Sequence, residues 1–455
     1  MNNNDKDFLG TAPIGKLLLS LALPTITAQL INMLYNIVDR IYIGHIPEAG
    51  ALALTGVGVC MPLILIVSAF AALVGSGGAP RASILMGKQE HDQAEQILGN
   101  CFALLFLISI VLTVILLAWN RPILLAFGAS ENTIGYATDY MNIYAIGTIF
   151  VQMTLGMNMF ITTQGYAKTG MLSVLIGAVI NIILDPIFIF AMGMGVKGGA
   201  LATVISRFVE LFIVAGWTHL HKERNAFIVG AYRSMAIPSG LLRNIIVKGM
   251  PLLANELLWS TGMTFLNQCY STCGLDVVPA MNISSTLGNL AGVVYQSLGV
   301  SVGILMGQML GARHSEEKVR DTNRKLIAFS VTSGLCFGLL MALGSGLFPA
   351  IYNTTEAVRH LAQNLILISA MVMPFQSFAN ATYFTLRSGG KTFITFLFDS
   401  VFMWVCSVTL AFSLSRFTSL SILPLFALCQ LPEALKCVLG FAMLKKGSWI
   451  QTLGD

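Results

Sequence analysis

Charge is what this sequence has least of. Asp, Glu, Lys and Arg make up 10% of its 455 residues, against roughly 25% in soluble domains. With 55% of residues hydrophobic and a mean hydropathy of +0.77, the bulk of the chain belongs in lipid. Segments of about ten residues alternating polar and apolar, the signature of a transmembrane β-barrel, are absent, which leaves helices. Met1 to Gly15 has neither a basic n-region nor a short apolar h-region and carries Asp5, Lys6 and Asp7. A cleaved signal peptide is therefore not expected, and the first span should be retained. No HExxH, GxSxG or paired intramembrane His motif occurs, which argues against an enzyme, and no filter or repeated pore loop suggests a channel. The eight cysteines, Cys60, Cys101, Cys269, Cys273, Cys336, Cys406, Cys429 and Cys437, read as buried small apolar residues. The Cys269/Cys273 pair has no second ligand pair for zinc.

What is present is a succession of apolar stretches, each long enough to cross the hydrocarbon core at about 20 residues apiece. The expected spans are 17–39, 52–76, 97–118, 136–162, 171–192, 199–217, 245–270, 278–305, 326–349, 361–385, 392–412 and 422–443. Lys and Arg gather on the side shared by both termini: Lys6, Lys16, Arg81, Lys88, Lys168, Lys222, Arg224, Arg233, Arg243, Arg313, Lys318, Arg320, Arg324, Lys325, Arg387, Lys391, Lys445 and Lys446. Arg40, Arg121, Lys197, Arg359 and Arg416 fall opposite. This bias places both termini in the cytoplasm. It also accounts for the net charge of +5, so no nucleic-acid partner is implied. Trp119, Trp217 and Trp449 lie near span ends, where interfacial anchors would sit.

The chain repeats itself. Ile84-Leu85-Met86-Gly87 recurs as Ile304-Leu305-Met306-Gly307, each at an expected span end before a charged loop, with His91 and His314 placed alike. Gly165 to Thr169 is echoed by Ser388 to Thr392, and Pro24 in the first span by Pro251 in the seventh. A unit of six spans returns the chain to its starting side, so the copies share one topology and are related by an axis along the membrane normal. The expected organisation is an N-terminal six-helix lobe over 1–218, a cytoplasmic linker over 219–244 and a C-terminal six-helix lobe over 245–455 around a central cleft. Alternating access by rocking of the lobes follows, with the basic linker from His219 to Arg243 as hinge.

Charges inside the spans need a reason, because each costs about 2.5–3.5 kcal/mol at the centre of a helix on insertion scales. Arg207/Glu210 and Glu433/Lys436 are three apart and can neutralise each other locally. Asp39, Asp185, Glu256 and Asp399 have no opposite charge at helical spacing in a span, although Asp39 adjoins Arg40 near a span end. In Asn181-Ile182-Ile183-Leu184-Asp185-Pro186 the amide and the carboxylate share a helix face, and Pro186 frees a backbone carbonyl. Such hard oxygens suit a small hard cation. Thr203 follows Gly199 by one turn, so its hydroxyl and the Gly199 carbonyl point the same way. If spans one, five and six pack together, Asp39, Asn181, Asp185 and Thr203 converge. Two carboxylates there cannot both stay ionised cheaply, so the site could hold a proton or a sodium ion.

With these residues the chain resembles, over nearly its whole length, the multidrug and toxic compound extrusion (MATE) family of cation-coupled antiporters, nearer to its MepA-like bacterial branch. The resemblance rests on Pro24 to Asp39, on Asn181-x3-Asp185-Pro186, on Gly198-Gly199-Ala200-Leu201-Ala202-Thr203 and on the doubled Ile-Leu-Met-Gly segments. It implies a cation site formed by Asp39, Asn181, Asp185, Thr203 and the Gly199 carbonyl, with H+ or Na+ as coupling ion and no other cofactor. Glu256 has an acidic counterpart in some branches of the family. Those branches also place an acid in the tenth span, and 361–385 here has none, so a second cation site lacks its ligand set. Glu256 and Asp399 are then candidates to meet the substrate or each other. The implied substrates are bulky, lipophilic and often cationic small molecules, exported by a monomer surrounded by membrane lipid. A flippase for lipid-linked intermediates is the alternative, but it would need free cationic groups inside, and the unpaired charges in these spans are acidic.

Overall fold

The computed structural model describes residues 14–127, 129–220, 239–274, 276–312, 314–352 and 354–450. Among these residues the chain forms twelve long helices and no strand. They are α1 (Ile14–Gly44), α2 (Gly50–Gly87), α3 (His91–Ala126), α4 (Ile134–Thr163), α5 (Ala167–Ala191) and α6 (Val196–Leu220). After them come α7 (Ser239–Ser271), α8 (Val277–Gly311), α9 (Glu316–Gly344), α10 (Glu356–Ser388), α11 (Thr392–Phe417) and α12 (Ile422–Lys446). Most run past the expected spans, because a helix satisfies its own backbone and need not stop where hydrocarbon ends. Thus α9 begins at Glu316, where the Ser315 side chain accepts from the Lys318 N–H and Glu316 and Glu317 occupy the first turn, all favourable at the positive end of a helix. It stops at Gly344, short of the expected 349, and a four-residue helix, Leu347–Ala350, follows. The Ile304 to Gly307 segment is not a helix end: α8 continues to Gly311.

The chain divides into two compact units, Leu23–Gly249 and Met250–Asp455, the latter also taking Met1–Ala22. Each is built alike. In the first, α4 packs against α2, α3 and α6, and α5 lies on α6; in the second, α10 packs against α8, α9 and α12. Close approach uses small residues, as membrane helices do. A Cβ on Gly147 of α4 would lie 2.3 Å from Val204 of α6, and one on Gly156 would lie 2.3 Å from Leu105 of α3. The first core joins Val57, Leu63, Leu116, Tyr140, Tyr144, Ile189 and Ala200. The second joins Leu266, Ile283, Leu365, Val408 and Phe426. Outward faces remain apolar, as with Leu107 and Val114 of α3, Leu339 and Leu343 of α9, and Val438 and Phe441 of α12, all exposed. Such faces suit lipid acyl chains.

Several expectations are corrected. Trp449 is not an interfacial anchor: it is 1% exposed because Gly447, at φ 72°, ends α12 in a left-handed turn that folds the following residues back against Gly389. Cys336 is exposed, on the face of α9 that carries Leu339 and Leu343. All eight cysteines are free thiols. Most of the expected hinge, 221–238, lies outside the described residues.

Candidate cation site

Pro186 sets the local geometry of α5. A proline donates no backbone hydrogen bond, and the helix beyond it continues as a π-helical turn over Ile187–Ala191, the irregularity that recurs at functional sites in helices. Gly193 and Gly195, both at positive φ, close the loop to α6. Gly198 then lets the two backbones meet, since a Cβ there would fall 2.6 Å from the Phe188 carbonyl carbon.

The same close packing brings α1 onto α5 and α6. A Cβ on Gly199 would lie 3.3 Å from Asp39 Oδ1 and 3.4 Å from Ile43 Cδ1, so only a glycine gives the carboxylate this room. Asp39 is 5% exposed, and Asn181 and Asp185 are fully buried. Asp185 lies within the electrostatic reach of Asp39. Thr203 Oγ1 donates to the Gly199 carbonyl at 3.0 Å, and Tyr140 of α4 lies beside Thr203. Tyr140 also lies near Asp39. It was not singled out in the sequence, because a span tyrosine there carries no mark distinguishing it from packing.

The polar atoms at the centre of this set have nothing to bond. Asp39 Oδ1, both oxygens of Asp185 and both polar atoms of the Asn181 side chain are buried without a hydrogen-bond partner among the described residues. Neither carboxylate has an ion-pair partner among them, and Arg40 is exposed. Buried oxygens of this kind are costly. A proton or a small hard cation would satisfy them, and the donor set of two carboxylates, an amide oxygen, a hydroxyl and a carbonyl suits one. No group of three or more His, Cys, Asp or Glu that could hold a metal occurs among the described residues, so the negative charge on offer is at most two.

Of the other intramembrane charges, Arg207, Glu210, Asp399 and Lys436 are paired. Arg207 reaches Glu210 at 2.8 Å and Asn32 at 3.4 Å, and it donates to the Tyr35 hydroxyl. Glu433 and Lys436, expected to neutralise each other, do not pair within hydrogen-bonding distance. Lys436 Nζ lies instead 2.6 Å from Asp399 Oδ1 on α11, because the neighbouring helix offers the ammonium a nearer carboxylate than its own helix does. Asp399 therefore has a cationic partner that spacing along one helix could not reveal. Glu256 on α7 is exposed, with Arg387 and Asp399 in its electrostatic neighbourhood.

Two repeated helical units spanning a membrane, one enclosing an unsatisfied carboxylate pair, define a transporter scaffold rather than an enzyme. The family model MatE matches residues 24–187 and 251–413, and the chain belongs to that family. Among curated relatives, the probable multidrug resistance protein YoeA of Bacillus subtilis is 23% identical over 406 residues, covering 88% of this chain and 87% of its own length. The multidrug export protein MepA of Staphylococcus haemolyticus is 22% identical over 371 residues, covering 81% of this chain and 80% of its own. A FAD transporter of Shewanella oneidensis is 26% identical and covers 68% of each chain. A crystal structure of MATE in complex with MaL6 superposes with a TM-score of 0.88 at 20% identity, covering 98% of both chains. At that identity the likeness concerns the fold.

Proposed function

We propose that this chain is a cation-coupled antiporter that exports lipophilic, often cationic, small molecules by alternating access. Asp39, Asn181, Asp185, Thr203 and the Gly199 carbonyl bind the coupling proton or sodium ion. The observation that carries the reading is the Asp39–Asp185 pair, buried with unpartnered oxygens and without a neutralising cation among the described residues. A low-dielectric site cannot hold two bare carboxylates, so its occupancy must change with a mobile cation. The names of the YoeA and MepA relatives support drug-like cargo. The FAD transporter relative would suggest an anionic cargo, but the buried cations Arg207 and Lys436 are each held by a carboxylate. The same engagement weighs against a flippase, whose pyrophosphate cargo would need them free. Glu256, exposed on α7, is assigned to substrate selection rather than coupling, whereas Asp399, held by Lys436, is not free to meet a cationic cargo.

Linkage supplies the test: a drug displaced by a cation must also displace that cation. Equilibrium binding of tetraphenylphosphonium should depend on pH or on sodium concentration in the wild type. In Asp39→Asn and Asp185→Asn, which keep side-chain size and remove the charge, binding should persist and that dependence should vanish. Unchanged dependence in both variants would overturn the assignment.

A further inference from the structure

The second unit solves the same electrostatic problem in a different way. Counted from its helix proline, Leu266 of α7 stands where Asp39 stands in α1. The stretch 401–414 of α11, facing the comparison with Asn181 and Asp185, contains no carboxylate and no amide. Leu266, Met403, Val408 and Phe426 belong there to one buried apolar core. The place that could receive a cation in the first unit is filled with hydrocarbon in the second.

Its buried aspartate brings its own cation. Lys436 Nζ sits 2.6 Å from Asp399 Oδ1, and the Lys436 side chain is only 10% exposed. The other oxygen, Asp399 Oδ2, accepts from Asn255 Nδ2 at 3.0 Å. Asn255 is held in that orientation because its own oxygen accepts from the Ser400 hydroxyl at 2.8 Å and from the Ser400 N–H at 3.3 Å. The Lys436 ammonium also lies 5.4 Å from the centre of the Phe398 ring, within cation–π range. The remaining titratable groups around this pair are Glu433 on α12, Glu256 on α7, and Tyr295 on α8 and Tyr383 on α10, with Arg387 of α10 beside Glu256 and Tyr383. Both oxygens of Asp399 are thus satisfied, whereas those of Asp185 have no partner among the described residues. Helices α6 and α12, each 25 residues long, carry their mid-helix charge pairs, Arg207/Glu210 and Glu433/Lys436, at matching positions with the signs exchanged. Arg207 and Glu210 close on each other, while Lys436 reaches across to α11.

We propose that Lys436 is a built-in counter-cation: its ammonium stands at Asp399 where a transported proton or sodium ion would otherwise be required, so the second unit binds no coupling ion. Coupling charge then enters through the first unit alone, an inference that rests on the function proposed above. Removing the amine while keeping the stem, as in Lys436→Met, leaves Asp399 Oδ1 without its cation, with only the Asn255 amide on the other oxygen. The second unit should then acquire a cation requirement of its own.

The test counts cations on the purified full-length protein. Sodium-22 binding at alkaline pH and the infrared carbonyl band of protonated carboxyl groups at acid pH are compared in wild type, Lys436→Met, the double variant Asp399→Asn/Lys436→Met, and Asp39→Asn. Lys436→Met should hold one more cation per chain than the wild type, and the double variant should return to the wild-type count. An unchanged count in a Lys436→Met protein that still binds tetraphenylphosphonium would overturn the proposal. If Lys436→Met does not fold, the double variant decides by itself, since replacing both members of a buried pair is tolerated far better than removing one. A count below wild type there would mean that Asp399 already binds a coupling ion, and would equally overturn it. Failure of Asp39→Asn to lower the count would instead sink the first-unit site, leaving the comparison at Lys436 intact.

Discussion

Gly199 and Asp39 show how much a single missing side chain can decide. A Cβ at 3.3 Å from the carboxylate oxygen is tighter than ordinary van der Waals contact, so Gly199→Ala should push Asp39 away from Asp185 while the helix itself gains stability. Cation affinity should fall about tenfold, equivalent to about 1.4 kcal/mol, with expression unchanged; sodium or proton competition against tetraphenylphosphonium binding reads this out. At Arg207 and Glu210 the residue-scale expectation concerns stability. Glu210→Gln removes the charge that holds a buried guanidinium at 2.8 Å, and breaking such a pair costs about 3–5 kcal/mol. Thermal unfolding in detergent should shift down markedly in that variant, and much less in Asp39→Asn, whose carboxylate has no ion-pair partner among the described residues. Helical spacing and the rarity of charge singled out Asp39, Asn181, Asp185 and Thr203 in the sequence. Tyr140 was not, because its role depends on Thr203 and Asp39 being nearby, and both lie on other helices.

At the scale of elements, the close approach of α5 and α6 is as informative as the charges they carry. A Cβ on Gly177 would fall 2.2 Å from Glu210 Oε1, so Gly177→Ala must move either the helix or the carboxylate. Overpacking of this kind costs roughly 1–3 kcal/mol. The variant should lose thermal stability, and the Gly177→Ala penalty should be smaller in a Glu210→Ala background, which makes space although it forfeits the Arg207 pair, a non-additivity that a double-mutant cycle would detect. The proline in α5 was readable as a break in the hydrogen-bond ladder; that the helix continues through a π turn over Ile187–Ala191 was not, because α and π continuations differ in how neighbouring helices support the freed carbonyl. The Lys436 partnership is the clearest case of element-level override. Glu433 is closer in sequence, yet Asp399 on α11 takes the ammonium, since a rigid neighbour already fixed by Asn255 costs less to engage than a side chain that must bend along its own helix.

For the whole molecule, the asymmetry of Lys and Arg makes a topological prediction. Impermeant labelling of single-cysteine variants at Lys445, Lys446 and the 219–244 segment in right-side-out cells should fail, and labelling at Lys197 and Arg359 should succeed. A label reaching Lys445 from outside would overturn the orientation.

The sequence by itself determined that this chain is a bundle of about twelve spanning helices in two similar halves, because the hydrophobic length rule and the cost of buried charge act locally and need no knowledge of neighbours. It also marked which carboxylates had to be explained. Only the tertiary structure decided how each was resolved. Asp39 and Asp185 were left buried with oxygens that have no partner among the described residues and Asp399 was given Lys436, since which opposite charge lies within 3 or 4 Å is fixed by helix packing, and packing joins residues that no spacing along the chain connects.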